Sequence, residues 1–143
     1  MKKIILTFLV IAAVTISSAF VSDNVCAQQA PATRIIAYYF HGDFRCVTCH
    51  KLEQYSKEVI ETNFKDALAS GKLEFKSVNV EKSGNEHFVR DYQLYTKSLV
   101  ISLIKDGKEI KAKNLNKIWE YVGNKEKFFT YVTKEVNSFL EGT

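Results

Sequence analysis

The sequence predicts an α/β domain: a mixed β-sheet flanked by helices. Three observations point there. From Ile35 to Leu140 the hydrophobic period switches between strand and helix in the order β, α, β, α, β-hairpin, α. The first strand runs straight into Cys46-Val47-Thr48-Cys49-His50, two thiols at a strand-to-helix junction. Near the end, Asp106-Gly107 sits between apolar runs as a tight hairpin turn.

Ile35 to Phe40 is a continuous aromatic and β-branched run, the pattern of a strand buried on both faces. After Gly42-Asp43-Phe44, the residues Leu52, Tyr55, Val59, Ile60, Phe64, Ala67 and Leu68 recur at helical spacing, so one helix is expected from Cys46 to about Ser70, stopped by Gly71. Leu73 to Val80 alternates apolar and polar and reads as the second strand. Gly84 precedes a short helix through Phe88, Val89, Tyr92 and Leu94. Leu99 to Ile104 is the third strand, and Glu109-Ile110 returns from the turn as the fourth. From Asn116 a helical stripe of Ile118, Trp119, Val122, Phe128, Phe129, Val132, Val136 and Leu140 reads as core rather than as a cofactor box. Two parallel crossovers feeding an antiparallel pair are expected.

The N-terminus reads as a secretory signal over residues 1–27. Lys2-Lys3 is the positive region, and Ile4 to Ile16 is apolar but too short for a comfortable membrane span. Val25-Cys26-Ala27 suits signal peptidase, and Asp23-Asn24-Val25 makes a poor lipobox for lipidation at Cys26. Residues 28–34, with the only proline at Pro31, read as a linker and residues 35–143 as the folded domain. Cleavage after Ala27 would leave only Cys46 and Cys49 as cysteines, in a mature chain with no membrane span, exported to the bacterial periplasm or extracytoplasmic space. Without Lys2, Lys3 and Asp23 the chain carries 18 basic and 15 acidic side chains, interspersed rather than clustered, which argues against nucleic acid as a partner. A monomer is expected.

At the N-terminus of a helix, unpaired amides stabilise a thiolate and lower a cysteine from about 8.5 into the range of ~3.5–7.5. Cys46 is therefore the expected nucleophile and Cys49, one turn in, the resolving thiol. Arg45 would add positive charge beside Cys46. His41 at the strand end could move protons, and His50 follows the motif on the first helical turn. Cys46, Cys49, His41 and His50 could alternatively hold a soft metal. Cys-x-x-Cys-His is also a haem attachment motif, but the sole methionine is Met1 and the motif follows a strand, so no haem, other cofactor or resident metal is expected.

An aromatic strand, Cys-x-x-Cys at a helix start, a second strand ending Val78-Asn79-Val80-Glu81 and the Lys105-Asp106-Gly107-Lys108 hairpin together resemble the thioredoxin-like superfamily over nearly all of Ile35 to Leu140. The resemblance implies a three-layer fold with a mixed four-stranded central sheet. More narrowly, Tyr38-Tyr39-Phe40-His41-Gly42 before Arg45-Cys46-Val47-Thr48-Cys49 is similar to exported proteins named as a nitrophenyl compound nitroreductase subunit, the ArsF-type family. The chain departs from thioredoxins at Arg45, where they usually carry tryptophan, and at Phe40 and His41, where they often keep a buried acid. It also lacks their cis-proline, whose place falls at or near Ser98. A cis bond there without proline would cost about 3 kcal/mol, so a trans peptide is expected. The resemblance implies an exported thiol–disulfide oxidoreductase or redox adaptor that acts on protein or small-molecule thiols and disulfides. The competing reading is a non-catalytic binding module of the same fold, its dithiol a metal ligand or structural disulfide.

Overall fold

A computed structural model describes residues 32–142. The expected signal segment, Cys26 and residues 28–31 lie outside the described residues. The elements are β1 (Thr33–His41), α1 (Val47–Asn63), α2 (Lys65–Ala69), β2 (Leu73–Asn79), α3 (His87–Asp91), β3 (Ser98–Lys105), β4 (Lys108–Asn114), α4 (Ile118–Tyr121) and α5 (Lys125–Leu140).

The four strands form one sheet in the order β2-β1-β3-β4. β1 runs parallel to β2, with Ile35 opposite Leu73, and antiparallel to β3, with Tyr39 opposite Leu99. The unbroken apolar character of β1 follows from its central place. On one face Ile35, Ala37 and Tyr39 pack with Leu52, Val59 and Ile60 of α1 and Phe128, Val132, Val136 and Phe139 of α5. On the other, Phe40 and Val100 form a smaller cluster with Leu94, against which Tyr38, Phe88 and Tyr92 pack. Helices on both faces of a mixed four-stranded sheet make this the three-layer, thioredoxin-like α/β fold.

Several expectations need correction. Thr33 and Arg34, placed in the linker, are strand, because they pair with Lys105 and Ile104 of β3. Only one parallel crossover exists: β2 is parallel to β1, but β3 is antiparallel. The connection from Asn79 to Ser98 carries only the five-residue α3, and a helix rising about 1.5 Å per residue is too short to run the length of the sheet. The chain therefore re-enters at the end where β2 finished.

The helix expected from Cys46 to Ser70 breaks at Phe64, whose φ of −129° and ψ of 35° leave the helical region. Phe64 is buried in the main core, and placing that ring there outweighs one continuous helix. The C-terminal stripe is likewise two helices, with Asn124 capping α5 by accepting the Lys127 amide at 3.0 Å. Trp119 leaves the stripe and is partly exposed, while Phe139 is fully buried. The hairpin turn is as expected, with φ of 50° at Asp106 and 77° at Gly107. β4 is the exposed edge strand, and Lys108, Lys111 and Lys113 blunt it against pairing with another chain.

Candidate functional site

The cysteine pair lies where β1 ends and α1 begins. Between them Gly42 is buried, and a side chain there would collide with the Glu81 carboxylate, since a Cβ would stand 2.3 Å from Oε1. Glu81 is held that close because its Oε2 accepts the Asp43 amide at 2.8 Å. Asn79 donates to the Asp43 carboxylate at 2.6 Å, and Lys82 pairs with it at 3.2 Å. The Asn79 bond, then the Lys82 bond and charge, hold Asp43 below the usual carboxylate range. The end of β2 thus clamps the loop that delivers the cysteines.

Cys46 is the N-cap of α1, with extended φ of −83° and ψ of 169°, and its Sγ accepts the Cys49 amide at 3.3 Å. It is exposed, whereas Cys49 is buried at 3 % exposure. The Cys46 thiol is lowered from its ordinary value, first by its hydrogen bond with the Cys49 side chain and then by the Cys49 and Thr48 amides. The exposed apolar side chains Phe44 and Val47 flank it in sequence. Below the pair, the buried Tyr39 hydroxyl donates to the Cys49 carbonyl at 2.7 Å. Burial pushes the Tyr39 hydroxyl up, so it stays a protonated donor at all ordinary pH.

Arg45 forms an ion pair with Glu53, two turns along α1 from Cys46, and the other Glu53 oxygen accepts the Ser77 hydroxyl of β2. Burial alone would raise Glu53, but the Ser77 and Arg45 hydrogen bonds with the Arg45 charge bring it below the usual carboxylate range. The Arg45 Nε is buried with no hydrogen-bond partner.

His41 is half-buried at the end of β1, and its Nδ1 donates to the Gly42 carbonyl at 2.9 Å. That leaves Nε2 as the free ring nitrogen. A cavity of about 160 Å³ beside it is lined by Phe40, Gly42, Glu81, Tyr95 and Lys97 among others. His50 is exposed on the first turn of α1. Ser98 opens β3 opposite Phe40 and is buried. Its hydroxyl donates to the Thr96 carbonyl at 3.0 Å and accepts from Asn114 at 3.5 Å, so it hydrogen-bonds to neither thiol. No cis peptide occurs among the described residues, so the Lys97–Ser98 bond is trans. The loop before Ser98 reaches the cysteine loop through Lys97, whose ammonium lies 6.0 Å from the Phe44 ring. The Trp119 indole donates to the Lys97 carbonyl at 2.9 Å and holds that loop from the other side.

The structure therefore brings Cys46, Cys49 and Arg45 onto one turn, with His41 at the adjoining strand end. It adds residues the sequence reading passed over: Tyr39, Glu53, Ser77 and Glu81. Glu53 was legible, since it stands four residues after Cys49 on the same helix face. Ser77 and Glu81 were not, because their roles depend on the register of β2 against β1. Among the described residues no group of three or more histidine, cysteine or acidic side chains is placed to hold a metal ion. Among them, too, no helix is long and apolar enough to cross a membrane.

No protein-family model matches the chain, and no curated protein matches it. Among solved structures it is similar to the thioredoxin of Fasciola hepatica, at 24% identity over 63% of this chain and 79% of that chain, with a TM-score of 0.38. The fold described above rests on this chain's own strand order and pairing.

Proposed function

We propose that the protein is an exported thiol–disulfide exchange protein, an oxidoreductase or redox adaptor, in which Cys46 is the nucleophile and Cys49 the resolving thiol. The observation that carries this reading is the asymmetry of the pair: Cys46 is exposed, caps α1 and accepts the Cys49 amide, while Cys49 is buried one turn in. In the reducing direction a substrate disulfide is reduced while the Cys46–Cys49 dithiol is oxidised. The Cys46 thiolate attacks one substrate sulfur, forms a mixed disulfide and releases the first substrate thiolate. The Cys49 thiolate then attacks the Cys46 sulfur, releases the second substrate thiolate and leaves a Cys46–Cys49 disulfide. The electron pair has passed to the substrate, and each departing thiolate takes up a proton. With a dithiol substrate the same steps run in reverse.

His41 would offer its free Nε2 to protons leaving or reaching the pair. Arg45, His50 and Ser98 modulate the site, with Ser98 replacing a proline ring on the loop that Lys97 brings against Phe44. Partners are protein or small-molecule thiols and disulfides, and the protein acts as a monomer. Export rests on the Lys2-Lys3 region, the apolar stretch from Ile4 to Ile16 and the cleavage pattern at Val25-Cys26-Ala27. The residues around the dithiol support placing the chain with the ArsF-type proteins. The protein then works in the periplasm or another extracytoplasmic space, where disulfides persist.

Trapping tests the reading. Cys49→Ser should accumulate mixed disulfides through Cys46, and a Cys46→Ser, Cys49→Ser control should capture none. The dithiol potential should lie well above about −300 mV, the range of structural bridges. No captured partner together with a potential below that value would overturn the proposal. Mature protein from the exporting cell should begin at Gln28.

A further inference from the structure

Arg45 stands next to the reactive thiol in sequence, yet its guanidinium is committed elsewhere. It pairs with Glu53 along α1, and Glu53 is anchored in turn by the Ser77 hydroxyl of β2. Both side chains are largely buried, Arg45 at 19% exposure and Glu53 at 23%, so the pair is shielded from the solvent that weakens surface ion pairs. The unpartnered, buried Nε is the second mark of this arrangement. A guanidinium left to itself would turn that donor to water or to a nearby anion, so the pairing with Glu53 is what keeps it buried.

We propose that Glu53 is a positioning residue that withholds the Arg45 guanidinium from the Cys46 sulfur, and so keeps the dithiol less oxidising than a cation-flanked thiol would be. This rests on the reading of Cys46 as the reacting thiol. A cation beside a thiolate favours the charged form. A better stabilised thiolate favours the reduced dithiol and raises its potential. The other groups facing this turn do not replace Glu53. From β1, the Tyr39 hydroxyl donates to the Cys49 carbonyl and also lies against the Arg45 guanidinium, but it is neutral and brings no charge to hold it. His41, also on β1, faces Glu53 and donates to the Gly42 carbonyl. From α1 come Cys49 and the exposed His50, and from β2 the neutral Ser77. Lys97, from the loop before β3, lies over Phe44. On α5, packed along α1, Lys125 is paired with Glu58.

The test is the pH dependence of iodoacetamide alkylation at Cys46 in the reduced full-length mature protein, read beside its equilibrium with a glutathione couple. Glu53→Gln should release Arg45 and move the alkylation midpoint to lower pH, giving about tenfold more thiolate below the wild-type midpoint. The glutathione equilibrium should shift toward the reduced dithiol. Arg45→Gln with Glu53→Gln should lose this downward shift, since the released cation is gone. Glu53→Asp, which keeps the charge but shortens its reach, should shift the midpoint the same way by less, and it serves if the glutamine variant does not fold. An unmoved or raised midpoint in the folded single variant, or a shift that persists without Arg45, overturns the proposal. If Cys46 captures no disulfide partner, the exchange reading fails instead, while the thiol midpoint still reports on Glu53.

Discussion

The Tyr39 hydroxyl, carried on the central strand, donates to the carbonyl of Cys49 in the first turn of α1 at 2.7 Å. The sheet therefore holds the helix at the residue that carries the buried thiol. Tyr39 is fully buried, so Tyr39→Phe keeps the ring packing and removes one hydrogen bond. The expected loss is about 1 kcal/mol, seen as a lower urea midpoint at unchanged slope. Cys49 should also become easier to alkylate as the turn loosens. An unchanged midpoint and unchanged Cys49 labelling would show that the bond does not hold the turn.

Gly42 is set by space rather than by backbone angle. Its missing side chain leaves room for the Glu81 carboxylate that accepts the Asp43 amide. Gly42→Ala should displace that carboxylate and leave the amide short of a partner, a destabilisation of about 1–3 kcal/mol by thermal or urea unfolding. Adding Glu81→Ala should cost less than the sum of the two single changes, because both act on one contact. Strict additivity would mean that the alanine is accommodated elsewhere.

The β3–β4 turn isolates a backbone effect. Gly107 has φ of 77°, and a Cβ built there meets nothing within 4 Å. Gly107→Ala should therefore cost about 1 kcal/mol through backbone strain alone. Gly107→Asn should cost less, because asparagine tolerates that region better. Equal thermal midpoints for both variants and wild type would show that the turn relaxes freely.

How much of this was legible in the sequence follows from how local each feature is. β1 and the hairpin were readable because a run buried on both faces and a turn with two positive φ angles each leave a mark within a few residues. The direction of β3 was not, since it depends on how far the segment from Val80 to Lys97 travels, and α3 is only five residues long. The break at Phe64 was hidden because its ring keeps the helical spacing while its backbone leaves it. At the site, Cys46 and Cys49 could be placed from their spacing. The commitment of Arg45 to Glu53 and the Glu81 clamp could not, because each is completed by β2, whose register against β1 no short-range pattern encodes.

The Cys46 thiol links the fold to pH. Its hydrogen bond with Cys49 and the first-turn amides lower it from the ordinary cysteine value, so the folded reduced protein loses this proton at lower pH than the unfolded chain does. Between the folded midpoint and the unfolded value of about 8.5, the unfolded state binds more protons, and stability rises with pH. This contribution is complete above the unfolded value and is lost as pH falls through the folded midpoint. Cys46→Ser separates it from the cap, because serine still accepts the Cys49 amide but does not ionise in this range. Reduced wild type should therefore gain stability relative to Cys46→Ser as pH rises from about 5 toward about 9, measured by urea unfolding under a thiol-free reductant. Parallel curves for the two proteins across that interval would show that the fold gives the thiolate no preference, and would remove the basis for Cys46 as an activated nucleophile.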